Sequence, residues 1–161
     1  MDKNFEDYLS KLAPTVAASA KPTILLLQCI DWRYAHRIVD MMDRMGLRGK
    51  YDVFALAGAA GGANKVDEWR DALISHIETA RKIEHHIDHI IILEHRDCGA
   101  YKFLFGLDWE KTLPPEELKE HQDQVRILAN YLDNHFRSNP PALTKIDAFL
   151  LARDEDDPLP I

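Results

Sequence analysis

The sequence predicts an α/β protein: an open, mostly parallel four-stranded sheet with helices on both faces. Three observations lead there. Short apolar runs of strand length recur along the chain. They are continuous rather than alternating, as in strands buried on both faces, and segments with apolar residues at three- and four-residue spacing separate them. Strands that alternate with helices are joined by crossovers into one parallel sheet.

Taken in order, residues 3–13 place Phe5, Tyr8, Leu9 and Leu12 at helical spacing, which predicts a short amphipathic helix. The small-residue stretch 14–22, bounded by Pro14 and Pro22, reads as a linker. Residues 23–28 form the first buried strand, which ends at Cys29. Ile38, Met41, Met42 and Met45 then mark a helix that Gly46 stops, with the methionines read as core. A second strand is expected at 51–57, a glycine-rich loop at 58–62, and a long helix carrying Val66, Trp69, Leu73, Ile77 and Ala80 on one face. The third strand, 89–94, ends at His95. A helix over about 115–135 uses Leu118, Val125, Leu128 and Leu132 as its stripe, and 146–151 gives the fourth strand. His85, His86 and His89, where a helix gives way to a strand, read as solvated side chains.

A chain of 161 residues suits one domain able to bury its own core. Within it, 1–22 is an N-terminal helix and linker, 23–152 the α/β core and 153–161 an acidic, solvated tail. The formal charge of −7 and the lack of a basic stripe exclude a nucleic-acid partner. The polar, acidic start lacks the apolar core of a secretory signal, and no apolar run approaches the roughly 20 residues that span a membrane. A soluble cytoplasmic protein without a membrane partner is expected.

Only two cysteines occur, Cys29 and Cys98. In a reducing compartment they leave a metal site, a catalytic thiol or plain burial. Both stand just past predicted strand ends, in Cys29-Ile30-Asp31-Trp32-Arg33 and His95-Arg96-Asp97-Cys98-Gly99. In parallel sheets ligands bind outside the carboxyl ends of the strands, where the winding direction reverses. If the first and third strands are neighbours, the two segments meet at that point. Two thiolates and an imidazole are three good zinc ligands, and a set of three leaves a fourth position for catalysis. Gly99 would let the backbone approach closely as a helix starts, with N–H groups able to hold an anionic substrate. Asp31 and Arg33 can also be read as an ion pair capping a helix.

These two segments resemble the β-class carbonic anhydrases, whose hallmark is Cys-x-Asp-x-Arg after the first strand and His-x-x-Cys-Gly after a later one. The likeness in layout runs from about Thr23 to Leu151, with sharp identity over 28–33 and 94–100. It implies zinc as cofactor, with Cys29, His95 and Cys98 as its ligands and Asp31 and Arg33 as the catalytic pair. The implied reaction is hydration of carbon dioxide to bicarbonate by zinc-bound hydroxide, with Asp31 able to take a proton beside the metal or to ligate it when Arg33 lets go. It also implies a homodimer or higher homo-oligomer, the N-terminal helix packing on a neighbouring subunit. The chain departs from the pattern after the second strand, where the family's Arg-Asn is replaced by Leu56-Ala57-Gly58. That departure keeps open hydrolysis of carbonyl sulfide or carbon disulfide at the same site, and a zinc-binding member without turnover. His36, three residues beyond Arg33, is a weaker candidate for proton shuttling.

Overall fold

Strand β1 (Ile24–Gln28) occupies the middle of the sheet, with β2 (Tyr51–Ala55) on one side and β3 (His89–His95) on the other. Beyond β3 lie β4 (Lys145–Leu151) and the two-residue β5 (Leu159–Pro160), giving the order β2-β1-β3-β4-β5. The first four are parallel, as the sequence predicts; β5 is antiparallel to β4. The computed structural model describes residues 5–17, 23–108, 114–152 and 159–161.

The strands read as continuous apolar runs because both sheet faces are covered. Leu25, Leu27, Ile90 and Ile92 point into one core, packed by α3 (Ala59–Lys65), α4 (Asp67–Lys82) and α6 (Pro114–Ser138). Ile24, Leu26, Ile91, Leu93 and Phe149 point into a second core, packed by α1 (Phe5–Ala17) and α2 (Trp32–Arg44). The alternation of successive side chains along a strand therefore assigns each residue of β3 to one layer or the other.

Several expectations change in the folded chain. Helix α1 continues through Pro14 to Ala17, where a linker was expected from residue 14. Proline's fixed φ is compatible with a helix, so it forfeits one hydrogen bond without reversing the chain. A helix of this length is marginal alone in water. Here Leu9, fully buried, seats it on the chain's own sheet. The expected loop at 58–62 is the first part of α3, entered through a left-handed Gly58. A short α5 (Gly99–Phe105) follows Cys98. Residues 153–158 of the expected solvated tail lie outside the described residues, but the chain's end returns: Ile161 N–H donates to the Ala148 carbonyl at 3.0 Å and its side chain packs on the first core. His89 is buried rather than solvated, its Nε2 lying 2.8 Å from Asp147 and 2.9 Å from the Tyr8 hydroxyl. His85 sits 2.7 Å from Asp52. Met41 and Met42 are core, as expected. Among the described residues no helix is long and apolar enough to cross a membrane.

Candidate metal centre

The register of β1 on β3 sets Gln28 opposite Leu93, so the chain just beyond Gln28 emerges beside the end of β3. The winding direction reverses between these two strands, and this is where both cysteine segments converge. His95 shares the face of Ile91 and Leu93 and packs against Tyr34 of α2, with ring centroids 4.5 Å apart. Cys98 is the N-cap residue of α5. Cys29 Sγ lies 3.8 Å from Cys98 Sγ, and one donor atom from each of Cys29, His95 and Cys98 falls within 4.8 Å of the others. Both cysteines are free, Cys98 buried and Cys29 half-buried.

The tautomer of His95 follows from its surroundings. Nδ1 lies 2.8 Å from the Arg96 carbonyl, which can only accept, so Nδ1 carries the proton and Nε2 the lone pair. Nε2 is buried with no hydrogen-bond partner. An orphaned acceptor beside two thiols fits a metal ion, and one nitrogen with two sulfurs suits a tetrahedral, borderline-soft one. The Cys98 thiol donates to Cys29 Sγ, which holds the Cys29 thiol well below its ordinary pKa; the Gly58 N–H, 3.3 Å from the sulfur, acts in the same sense. The same sharing, with burial, pushes Cys98 up. One proton is thus held between two sulfurs that can take a cation instead.

Asp31 caps α2 and is also paired with Arg33, the helix-capping ion pair that the sequence allows. Its Oδ1 accepts from the Arg33 N–H at 3.0 Å, and the guanidinium grips both carboxylate oxygens at 2.6 to 3.1 Å. These hydrogen bonds from Arg33 hold the Asp31 carboxyl at about 2, against a smaller upward push from burial. Asp31 Oδ2 stands 3.7 Å from His95 Nε2, beside the Cys29–His95–Cys98 cluster. Gly99 begins α5, yet a Cβ there would meet nothing within 4 Å. Crowding by the protein is therefore not what requires glycine at that position. His36 is exposed on α2.

Four further groups complete the site and were not singled out in the sequence. Glu117, from the first turn of α6, accepts from Arg96 Nη1 and from the Asp97 N–H, both at 2.7 Å, and so clamps the turn between His95 and Cys98. Asp97 holds that turn with a positive φ of 54°. On the opposite face of β3, Glu94 is fully buried and accepts from the Ala60 N–H at 2.8 Å, with His121 Nδ1 3.2 Å away. A signal for Glu94 was present: a carboxylate inside Ile90-Ile91-Ile92-Leu93-Glu94-His95 must find partners if the strand is buried. The partners themselves come from distant segments that no local pattern marks.

No family model matches the chain. An uncharacterized protein of Rickettsia bellii is 33% identical over 132 residues, which are 81% of this chain and 76% of that protein. The chain belongs to the same family as this protein. An uncharacterized protein of Rickettsia conorii is also 33% identical, over 94 residues, 57% of this chain and 50% of that one. The match to it thus spans half the relative's length. Among solved structures, the β-carbonic anhydrase CafA of Aspergillus fumigatus is similar with a TM-score of 0.49 at 16% identity, over 94% of this chain and 80% of that one. One of the tetrameric β-carbonic anhydrases of Sordaria macrospora has a TM-score of 0.42 at 18% identity, over 87% and 80%.

Proposed function

We propose that the chain is a zinc-dependent carbonic anhydrase that interconverts carbon dioxide and bicarbonate. One observation carries the reading: Cys29, His95 and Cys98 bring their donor atoms within 4.8 Å of one another at the switch point, directly beside the Asp31–Arg33 pair. Those three residues would hold the ion through Cys29 Sγ, His95 Nε2 and Cys98 Sγ. When bound, zinc supplies a Lewis acid that makes water a nucleophile near neutral pH. Asp31, ionised throughout the physiological range, accepts a hydrogen bond from the attacking water and orients it, and Arg33 keeps Asp31 in place. Arg33 Nη2 also donates to the Asp97 carbonyl at 3.3 Å, a second anchor that can retain the guanidinium if Asp31 turns away. The start of α5 at Gly99 is the surface on which the small substrate would lie. His95 is oriented by Arg96 and Tyr34, and the turn around it by Glu117.

Metal analysis of the purified protein, with carbon dioxide hydration measured on the same preparation, tests this. About one zinc per chain with hydration activity is expected; a protein free of metal and inactive would overturn it.

The segment after β2 favours a second reading. Leu56 is buried where the family pattern has Arg-Asn, so no guanidinium from this segment faces the cysteines. Another linear cumulated substrate, carbonyl sulfide or carbon disulfide, would suit a pocket without that charge. Sulfide release assayed beside hydration separates the two, and stoichiometric zinc with neither activity would mark a binding protein. A homo-oligomer is part of the proposal: Ile30 and Trp32, beside Cys29, and Phe103 of α5 are 62%, 81% and 86% exposed, apolar surface of the kind a second copy covers.

A further inference from the structure

We infer that Glu94 is a positioning residue of the metal centre, holding the turn that keeps the Gly58 N–H on Cys29 Sγ. The inference rests on the zinc reading above. Glu94 precedes His95 in β3, and the alternation of the strand sends the two side chains to opposite faces. His95 goes to the α2 side; Glu94 goes to the side of α3 and α6, where it is fully buried. There one carboxylate oxygen accepts from the Ala60 N–H at 2.8 Å. The other lies 3.2 Å from His121 of α6.

What Glu94 holds is a strained turn. Gly58 and Ala59 both have positive φ, 73° and 39°. For an alanine that conformation persists only when its surroundings enforce it. Consecutive N–H groups of this turn point in three directions: Gly58 to Cys29 Sγ at 3.3 Å, Ala59 to the Leu56 carbonyl at 2.9 Å, and Ala60 to Glu94. The Ala60 N–H is one of those at a helix start that have no partner within the helix. Its tie to Glu94 fastens the turn to β3 one residue before a metal ligand. The packing leaves the turn little room, since a Cβ on Gly62 would come within 2.0 Å of the Ala57 carbonyl oxygen. A single carboxylate therefore links the segment that supports Cys29 to the strand that carries His95. Without that tie the turn would relax, the Gly58 N–H would draw away from the sulfur, and Cys29 would lose the hydrogen bond that fixes its orientation as a ligand.

The test uses cobalt-loaded protein and reads the sulfur-to-cobalt charge-transfer band together with the rate of metal release to a chelator. Glu94→Gln keeps an oxygen for the Ala60 N–H and should match the parent in both. Glu94→Leu removes the acceptor; its band should move and its metal should leave about ten to a hundred times faster, the range seen when groups behind a ligand are changed. Adding Ala59→Gly to Glu94→Leu relieves the strained φ and should restore part of the parent behaviour. Should Glu94→Leu not fold, Glu94→Asp, which retains a carboxylate but draws it back by one methylene, should shift both readouts in the same direction. A folded Glu94→Leu with the parent band and release rate, a Glu94→Gln as impaired as Glu94→Leu, or a Glu94→Asp indistinguishable from the parent would overturn the inference. A parent chain that takes up no cobalt would instead overturn the zinc reading.

Discussion

Asp31 Oδ2 stands 3.7 Å from His95 Nε2 while accepting a hydrogen bond from Arg33 Nη2 at 2.6 Å. The carboxylate is thus within reach of the ligand cluster but held by a guanidinium. Asp31→Ala should keep its zinc and hydrate carbon dioxide well below the parent rate, because the acceptor that orients the attacking water is gone. Arg33→Ala should also keep zinc and lose activity, because the released carboxylate is free to take the fourth ligand position. Stopped-flow hydration with metal analysis checks both. A parent rate in Asp31→Ala would make the pair a helix cap only.

Metal retention should weaken in acid. Both sulfurs must be without protons to ligate, and His95 Nε2 must be neutral, so protons compete with the ion at each donor. Zinc bound per chain, measured after equilibration at falling pH, should drop; Cys98→Ser should release it at neutral pH. Full zinc in Cys98→Ser would remove that residue from the ligand set.

Gly99 separates stability from catalysis. A methyl there meets nothing within 4 Å, so Gly99→Ala should change stability by less than about 0.5 kcal/mol, as at an ordinary surface position. Its zinc content should be unchanged. If Gly99 lies against substrate, hydration alone falls; parent activity would exclude that role.

At the other end of the sheet, Asp147 ties α1 to β3 and β4. Burial pushes its carboxyl up, but His89, Tyr8 and Lys145 outweigh that and hold it at about 2. A carboxyl held below its unfolded value stabilises the fold above about pH 4, and the contribution is lost as pH falls through about 2. Asp147→Asn should therefore cost on the order of 1 kcal/mol at pH 6, a figure kept small because the group is partly solvated. The difference from the parent should vanish near pH 2. Urea midpoints across that range decide it; a constant difference would assign the loss to packing.

Leu9→Ala should destabilise by about 2 to 5 kcal/mol, since a fully buried leucine leaves a cavity between α1 and the sheet. Urea unfolding at neutral pH measures it. A cost under about 1 kcal/mol would mean that α1 is not seated there in solution.

By itself the sequence determined the layers and the chemistry at their edge. Short, β-branched apolar runs such as Ile90-Ile91-Ile92-Leu93 read as strands covered on both faces, and the ends of two such runs carry Cys29 and His95. These are local properties, read from spacing and residue type. Tertiary structure alone decided whatever depends on which segments meet. That Glu117 grips the Arg96-Asp97 turn, that Glu94 faces Ala60 and His121, and that His89 lies against Tyr8 and Asp147 follow from helix placement over the sheet. The same holds for α1, whose apolar stripe calls for a cover but does not name it; folding seats Leu9 on the chain's own sheet. The physical reason is one of range. Periodicity reports which face of a segment is buried, whereas a hydrogen bond across 20 to 139 residues of sequence depends on geometry that only packing of the whole chain fixes.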